Sequence, residues 1–340
     1  MRFFGWRARF IARRLGLLLV QVWGIVTTVF ILIQLLPGDP TYLLAGGLAT
    51  PQMRVALASH LGLNSPIYVR YFKYMSNVLH GDLGTSFFTS KPVLEEVSRR
   101  FTATFELITV AFVLIIAIGV PLGIWSAVSK KGLFRQLVTN YGMVAGALPD
   151  FWWALMLILV FFVILAVAPA PIGRIDIIPG PPQTITGLYS LDAILTGNVS
   201  AFESAVGHLI LPVMTLVFIN TAGVIKVTRT QMLEVMDSGF VRYAQACGMP
   251  LSRIYRDALR NALLPVITYA GLLYGFLASA AVLVETVFSW GGLGQFAVSS
   301  VVNSDYLAVA GCVMFIAIFA LTVYVFMDIL QTLIDPRTSR

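Results

Sequence analysis

Charged residues are scarce in this 340-residue chain, 11% against 58% hydrophobic, and a soluble domain of that length carries far more polar surface. The shortage excludes an ordinary soluble enzyme and points to an integral membrane protein. Side chains for metal and redox chemistry are scarcer still, with two cysteines and three histidines. His60, His80 and His208 show no metal-ligand spacing. Cys247 falls in a polar interval and Cys312 in an apolar run, so a disulfide between them is not expected. Neither the phosphate cradle G-x-x-x-x-G-K-[ST] nor the nucleophile elbow G-x-S-x-G occurs. The chain therefore has no ATP site of its own and is not expected to be an enzyme. Its apolar runs also lack the period-two alternation of barrel strands and read as spanning helices. The net charge of +7 would suit nucleic acid, but the basic residues are dispersed between the apolar runs, which argues against such a partner.

The fold class that follows is an all-α integral membrane protein with six transmembrane helices, its lipid bilayer the first partner. The spans read as Leu15–Leu36, Ala103–Val128, Leu137–Val167, His208–Thr228, Leu264–Val287 and Leu307–Leu333. The first is too long for the apolar core of a cleaved signal, and the basic, aromatic stretch Met1–Arg14 before it suits a segment lying flat in the headgroup layer. Pro37-Gly38-Asp39-Pro40 stops that span, and a long extracytoplasmic loop runs to about Thr102. Within the loop, Thr50-Pro51 and Ser65-Pro66 each open a short helix, and Tyr68, Tyr71, Phe72, Met75, Val78 and Leu79 form a stripe expected to pack on the bundle or the membrane surface. Pro121 and Pro149 interrupt two spans in a way that spanning helices tolerate.

Six spans put both termini on one side. Five Lys and Arg before the first span, three at Lys130, Lys131 and Arg135, six from Lys226 to Arg260 and two at the C-terminus place 16 of 23 on that side, which makes it cytoplasmic. The chain divides into 1–102, the amphipathic N-terminus, first span and loop; 103–333, a core of five spans; and 334–340, a tail.

Within the core, the polar interval 229–263 carries two amphipathic stripes. Leu233, Met236, Phe240, Tyr243, Ala244 and Cys247 share one helical face, and after Gly248-Met249-Pro250 a second stripe runs through Leu251, Ile254, Tyr255, Ala258, Leu259 and Ala262. Glycine caps the first helix and proline opens the second, making a rigid cytoplasmic elbow that another protein can grip. Asp150, Glu106 and Glu285 lie in or near spans, where ionisable groups are costly. Asp150 and Glu285 are candidates for the pathway or its gate, while simple interfacial placement is the plainer reading for Glu106 and Glu285.

The segment Arg242-Tyr243-Ala244-Gln245-Ala246-Cys247-Gly248 resembles the cytoplasmic "EAA" loop of the membrane subunits of binding-protein-dependent, ATP-driven (ABC) importers. Ala244 and Gly248 match its second alanine and its glycine, and Arg242 stands where the general pattern has glutamate. Leu36-Pro37-Gly38-Asp39-Pro40, Leu61-Gly62-Leu63, Gly81-Asp82-Leu83-Gly84, Leu148-Pro149, His208-Leu209-Ile210-Leu211-Pro212, Glu285-Thr286-Val287-Phe288-Ser289-Trp290, Asp328 and Asp335-Pro336-Arg337 resemble family stretches in the same order, as Ala258–Pro265 resembles the peptide branch. Gly291 and Leu307 stand where that family usually shows proline, and glycine at 291 is expected to loosen the outer turn.

The resemblance implies a type I importer permease that forms its pore with a second, related permease subunit. Two ATPase subunits, or one ATPase as a homodimer, would bind ATP and Mg, and an extracytoplasmic solute-binding protein would deliver the solute. No cofactor is implied in this chain itself. Arg242, Tyr243, Ala244, Cys247, Gly248, Leu251 and Arg253 would form the ATPase-coupling loop, with Tyr243, Cys247 and Leu251 either touching the ATPase or packed under the bundle. The setting would be a bacterial or archaeal cytoplasmic membrane. Di- or oligopeptides are the default solute, with nickel complexes, glutathione-like molecules and oligosaccharides as alternatives. An ion-gradient-driven secondary transporter and a membrane-embedded enzyme are the competing classes.

Overall fold

The computed structural model describes residues 2–35, 65–129 and 132–334, together with Thr50 and Gln52. The Pro37–Pro40 stop, the helix start at Pro51, Leu61-Gly62-Leu63 and the tail from Asp335 lie outside the described residues. The helices are α1 (Arg2–Leu35), α2 (Ile67–Leu79), α3 (Val93–Val128), α4 (Gly132–Ala145), α5 (Asp150–Leu157), α6 (Tyr189–Leu195), α7 (Val199–Met236), α8 (Gly239–Ala246), α9 (Leu251–Val287), α10 (Leu293–Val302) and α11 (Tyr306–Ile334), with a π-helical segment Ile158–Ile164 continuing α5. Among the described residues, α1, α3, α7, α9 and α11 are long and apolar enough to cross a membrane. A sixth span exists if α4 and α5, bent by 103°, are counted as one.

The core sits where α3, α7 and α9 meet. Leu107, Ile108 and Ile115 of α3, Leu216 and Val224 of α7 and Leu277 of α9 share one buried cluster. The close approach of α3 and α7 comes from Gly119 and Gly123, a small-x-x-x-small pair that lets two backbones nearly touch. A Cβ at Gly119 would lie 2.8 Å from Val224 Cγ1, and one at Gly123 would lie 2.6 Å from Thr228 Cβ. Around this centre α11 packs on α9 and α1 packs on α11. Val26 and Val29 meet Ala310 and Met314, and Arg14 pairs with Asp328 at 2.7 Å.

Four sequence expectations change. The N-terminal segment expected to lie flat continues into α1 as one uninterrupted helix. Helix α3 starts at Val93, ten residues before the expected span, because Glu95, Glu96, Arg99 and Arg100 lower the local hydropathy while leaving helical hydrogen bonding intact. Pro149 does more than interrupt its span. The chain is extended at Pro149, which opens α5, and the helix direction turns there, since proline lacks a donor and disfavours helix at the residue before it. Pro121, Pro212 and Pro265 stay inside unbroken helices. The fourth change concerns the stripe of α2, which divides. Tyr71, Tyr74, Met75 and Val78 pack on α1 and α11, with Tyr71 hydrogen-bonded to Thr27 at 2.8 Å, while Tyr68, Phe72 and Leu79 stay exposed.

Candidate functional site

Helix α8 sits in a bend between the end of α7 and the start of α9, the place of the expected elbow. The first amphipathic stripe is broken: Leu233 and Met236 end α7, and Phe240, Tyr243 and Ala244 belong to α8. Ser238 turns extended between them and its hydroxyl bonds back to the Val235 carbonyl, which competes with helix continuation. Arg242 reaches over the break to Asp237 at 2.7 Å, an exposed pair that contributes little by itself. The second stripe is no separate helix, because α9 runs from Leu251 through Pro265 to Val287 without a break.

At the end of α8 the Gly248 N–H donates to the Gln245 carbonyl at 3.0 Å and the Met249 N–H to the Ala244 carbonyl at 3.1 Å. That is a Schellman cap, and it requires the left-handed φ of +71° that Gly248 adopts. Met249 then folds onto the buried residues Val241, Ala244 and Ile254. Beneath this cluster Met232, Ala258 and Ala262 pack with Ala127 and Val128 of α3. Helix α8 is thus seated on the end of α7 and the start of α9, which in turn pack on the end of α3.

Its outer face is left uncovered. Tyr243 is 73% exposed and Leu251 57%, and Arg242, Cys247, Gly248 and Arg253 are exposed as well. Of the residues named for the loop, Ala244 alone points inward, and Tyr243, Cys247 and Leu251 do not pack under the bundle in this chain. Val241 and Met249, which anchor the inner face, were missed by the sequence reading. The spacing of Val241, Ala244 and Gly248 was available as a sign.

Helix α9 carries this elbow at one end. At 1.5 Å per residue its 37 residues span about 55 Å, ending at the second candidate region. There Glu285 is fully buried. It accepts from the Thr104 hydroxyl at 2.5 Å and the Gln295 N–H at 3.0 Å, while Leu293 N–H donates to Thr104 Oγ1 and Trp290 Nε1 to the Ala103 carbonyl. Gly292 fits against this carboxyl with no room for a side chain. These bonds make Glu285 a clamp joining α3, α9 and α10. Glu106, also buried, pairs with Arg174 and accepts from the Ser190 N–H at 2.8 Å. Both carboxylates are buried with partners, and Glu285 lies in the last turn of α9. Asp150 occupies the first turn of α5, half-buried at the bend, where a carboxylate is favoured by the helix N-terminus. The structure does not bring Asp150 and Glu285 into one site.

Three further carboxylates had no sign in the local pattern. Asp305 is buried and accepts from Ser86 Oγ at 2.5 Å and the Phe88 N–H at 3.2 Å, across more than two hundred residues of chain. Glu96, buried on α3, meets Arg99 at 2.9 Å, Arg100 at 3.0 Å and Lys91 at 3.8 Å. Asp192 of α6 gathers the Thr186 hydroxyl and the amides of Ile185, Thr186 and Gly187. Burial raises its pKa, but the Thr186 hydroxyl and these three amides outweigh burial and hold it below the usual carboxylate range. The outer turn is also better defined than expected. Gly291 takes a φ of +75°, closed to proline, and its N–H donates to Gln295 Oε1 at 2.6 Å.

Residues 119–340 match the family described as the inner membrane component of binding-protein-dependent transport systems, and residues 7–108 match the N-terminal part of the same membrane components. The chain belongs to this family. Its relatives include the probable D,D-dipeptide transport system permease protein DdpB of Escherichia coli strain K12, 42% identical over 96% of this chain and 95% of the relative. The dipeptide transport system permease protein DppB of the same strain is 36% identical over 97% and 98%. The di/tripeptide transport system permease protein DppB of Pseudomonas aeruginosa is 38% identical over 96% and 98%. This permease is therefore an all-helical, multi-pass inner-membrane protein of an importer, and nothing in it favours the gradient-driven alternative. Among its described residues, no group of three or more His, Cys, Asp or Glu is placed to hold a metal ion.

Proposed function

We propose that the chain is the pore-forming permease of an ATP-driven importer of di- or oligopeptides, moved by separate ATPase subunits that grip the elbow within 229–263. The observation that carries the coupling role is the two-sided elbow: Val241, Ala244 and Ile254 are buried against the bundle, while Tyr243, Cys247 and Leu251 stand uncovered. Tyr243 on α8 and Leu251 at the start of α9 stand on either side of the Gly248 turn, 73% and 57% exposed. Arg242 and Arg253 flank them and Gly248 closes the turn. The peptide class is supported by the names of the three relatives.

In this reading the assembly pairs the chain with a homologous permease subunit, two ATPase subunits and an extracytoplasmic binding protein, and ATP and Mg stay on the ATPases. Closure of the ATPases pushes the elbow, and α9, rigid and continuous from Leu251, carries the motion to the Glu285 clamp by rigid-body rocking. Both termini and the elbow lie in the cytoplasm, with 1–102, 103–333 and 334–340 as entry, core and tail. Reconstitution of the importer in proteoliposomes tests this. Tyr243→Ala, at an exposed site, is expected to leave insertion unchanged and lower dipeptide-stimulated ATP hydrolysis at least about tenfold, an effect of about 1.4 kcal/mol. Full coupling in that variant, or dipeptide uptake with no ATPase present, would sink the proposal.

A further inference from the structure

At the end of the bundle opposite the elbow, the first turns of α3, the loop before α6 and the turn after α9 enclose a cleft of about 520 Å³. It is lined by Arg99, Arg100, Arg174, Tyr189, Thr184 and Trp290, among others, and among the described residues no carboxylate lines it. The carboxylates of this region are set back and already engaged. Glu96 serves Lys91, Arg99 and Arg100, and Glu106 serves Arg174. Three guanidiniums therefore line the cleft, with Glu96 and Glu106 as their ion-pair partners, while Glu285 and Asp192 accept from neutral hydroxyl and amide donors and lie outside the lining.

The guanidinium planes are fixed before any ligand arrives. Arg174 is only 10% exposed, its Cζ lies 3.7 Å from the centre of the Tyr189 ring, and its Nε has no hydrogen-bond partner. Arg100 is likewise stacked, 4.4 Å over Phe296. Arg99, 62% exposed and paired with Glu96, is the most open member at the rim. Forked donors held in place on a wall that carries no carboxylate among the described residues match a planar carboxylate, and the volume suits a small solute.

We propose that this cleft is a holding site for the terminal carboxylate of a small peptide-like solute at the outer face of the permease. The proposal rests on the peptide reading above and deepens it by naming the group recognised and the residues that recognise it. Arg174 and Arg100 form the preset floor, and Arg99 closes over the ligand.

The test uses the full-length chain in lipid nanodiscs, without the binding protein. Alanyl-alanine labelled with ¹³C at its carboxyl is titrated in and its line broadening followed, beside alanyl-alanine amide and inorganic phosphate. Arg99→Gln is the decisive variant because Glu96 keeps Arg100 and Lys91. Arg174→Gln is secondary, since it strips Glu106 of its partner. The expected result is broadening of the acid, none of the amide, and an affinity at least about fivefold weaker in Arg99→Gln, with partial recovery in Arg99→Lys. Equal binding of acid and amide, binding unchanged in Arg99→Gln, or phosphate binding in place of the dipeptide would overturn it. So would an Arg99→Gln variant that weakens docking of the binding protein and leaves dipeptide binding intact. ATP-driven dipeptide uptake by the reconstituted importer is scored separately: its absence rejects the peptide reading, whereas uptake with no carboxylate dependence in the nanodisc titration rejects the holding site alone.

Discussion

At Gly248 the backbone lies at φ +71° with open space around a would-be Cβ, so the cost of a side chain there is conformational. The left-handed region costs an L-residue about 1–2 kcal/mol, more if β-branched and less for asparagine. Gly248→Val is therefore expected to raise hydrogen exchange at the Gly248-position and Met249 amides about tenfold, with Gly248→Asn near the parent. Equal exchange in both variants would show that the cap does not depend on this φ. Asp192 gives a pH-dependent counterpart. Its native pKa is depressed, so the stabilisation is complete above the ordinary carboxylate value of about 3.9 and is lost as pH falls through the lower native value. Exchange at Ile185, Thr186 and Gly187, corrected for intrinsic rates, should stay slow from neutral pH down to about 4 and accelerate below it. Asp192→Asn should exchange fast throughout. Neither residue's chemistry was equally legible in sequence: a glycine before Met-Pro announces a cap, whereas the ring of amides around Asp192 exists only after the loop has folded back.

Among the elements, the contact of α3 with α7 is the one that admits least change. Gly123→Val would drive its side chain into Thr228 and the Ile225 carbonyl, and overpacking of this kind costs about 1–3 kcal/mol. Thermal unfolding in detergent should show a clear loss of stability for Gly123→Val. Gly16→Ala on α1, where no neighbour lies within 4 Å, should be neutral or slightly stabilising. A Gly123→Val protein as stable as the parent would mean that these helices separate freely. Helix identities were readable from apolar length, but their ends were not. The polar first turns of α3 and the sharp turn at Pro149 both depend on what the neighbouring helices satisfy, and hydropathy does not record that.

For the whole molecule, orientation is the property on which the coupling proposal stands. Of the two cysteines, Cys247 is exposed on the elbow and Cys312 is buried. A membrane-impermeant maleimide should label the protein in inside-out vesicles and in Cys312→Ala, and should fail in intact cells and in Cys247→Ala. Labelling of Cys247 from outside intact cells would place the elbow on the wrong side and remove the ATPase as its partner. About 55 Å of helix along α9 lies between the uncovered elbow and the cationic cleft. One continuous helix between them is the simplest mechanical link the fold provides.

Composition, helix periodicity and the placement of Gly248 and Pro250 were enough to assign a helical membrane protein, its long spans and the existence of the elbow, because each is a local property of consecutive residues. Only the tertiary structure decided which faces are free and which carboxylates are spent as clamps. Glu285 against Thr104, Glu106 against Arg174 and Asp305 against Ser86 join segments far apart in the chain. In a low-dielectric interior such groups must find partners, and the fold, through the order in which helices stack, determines which partners are within reach.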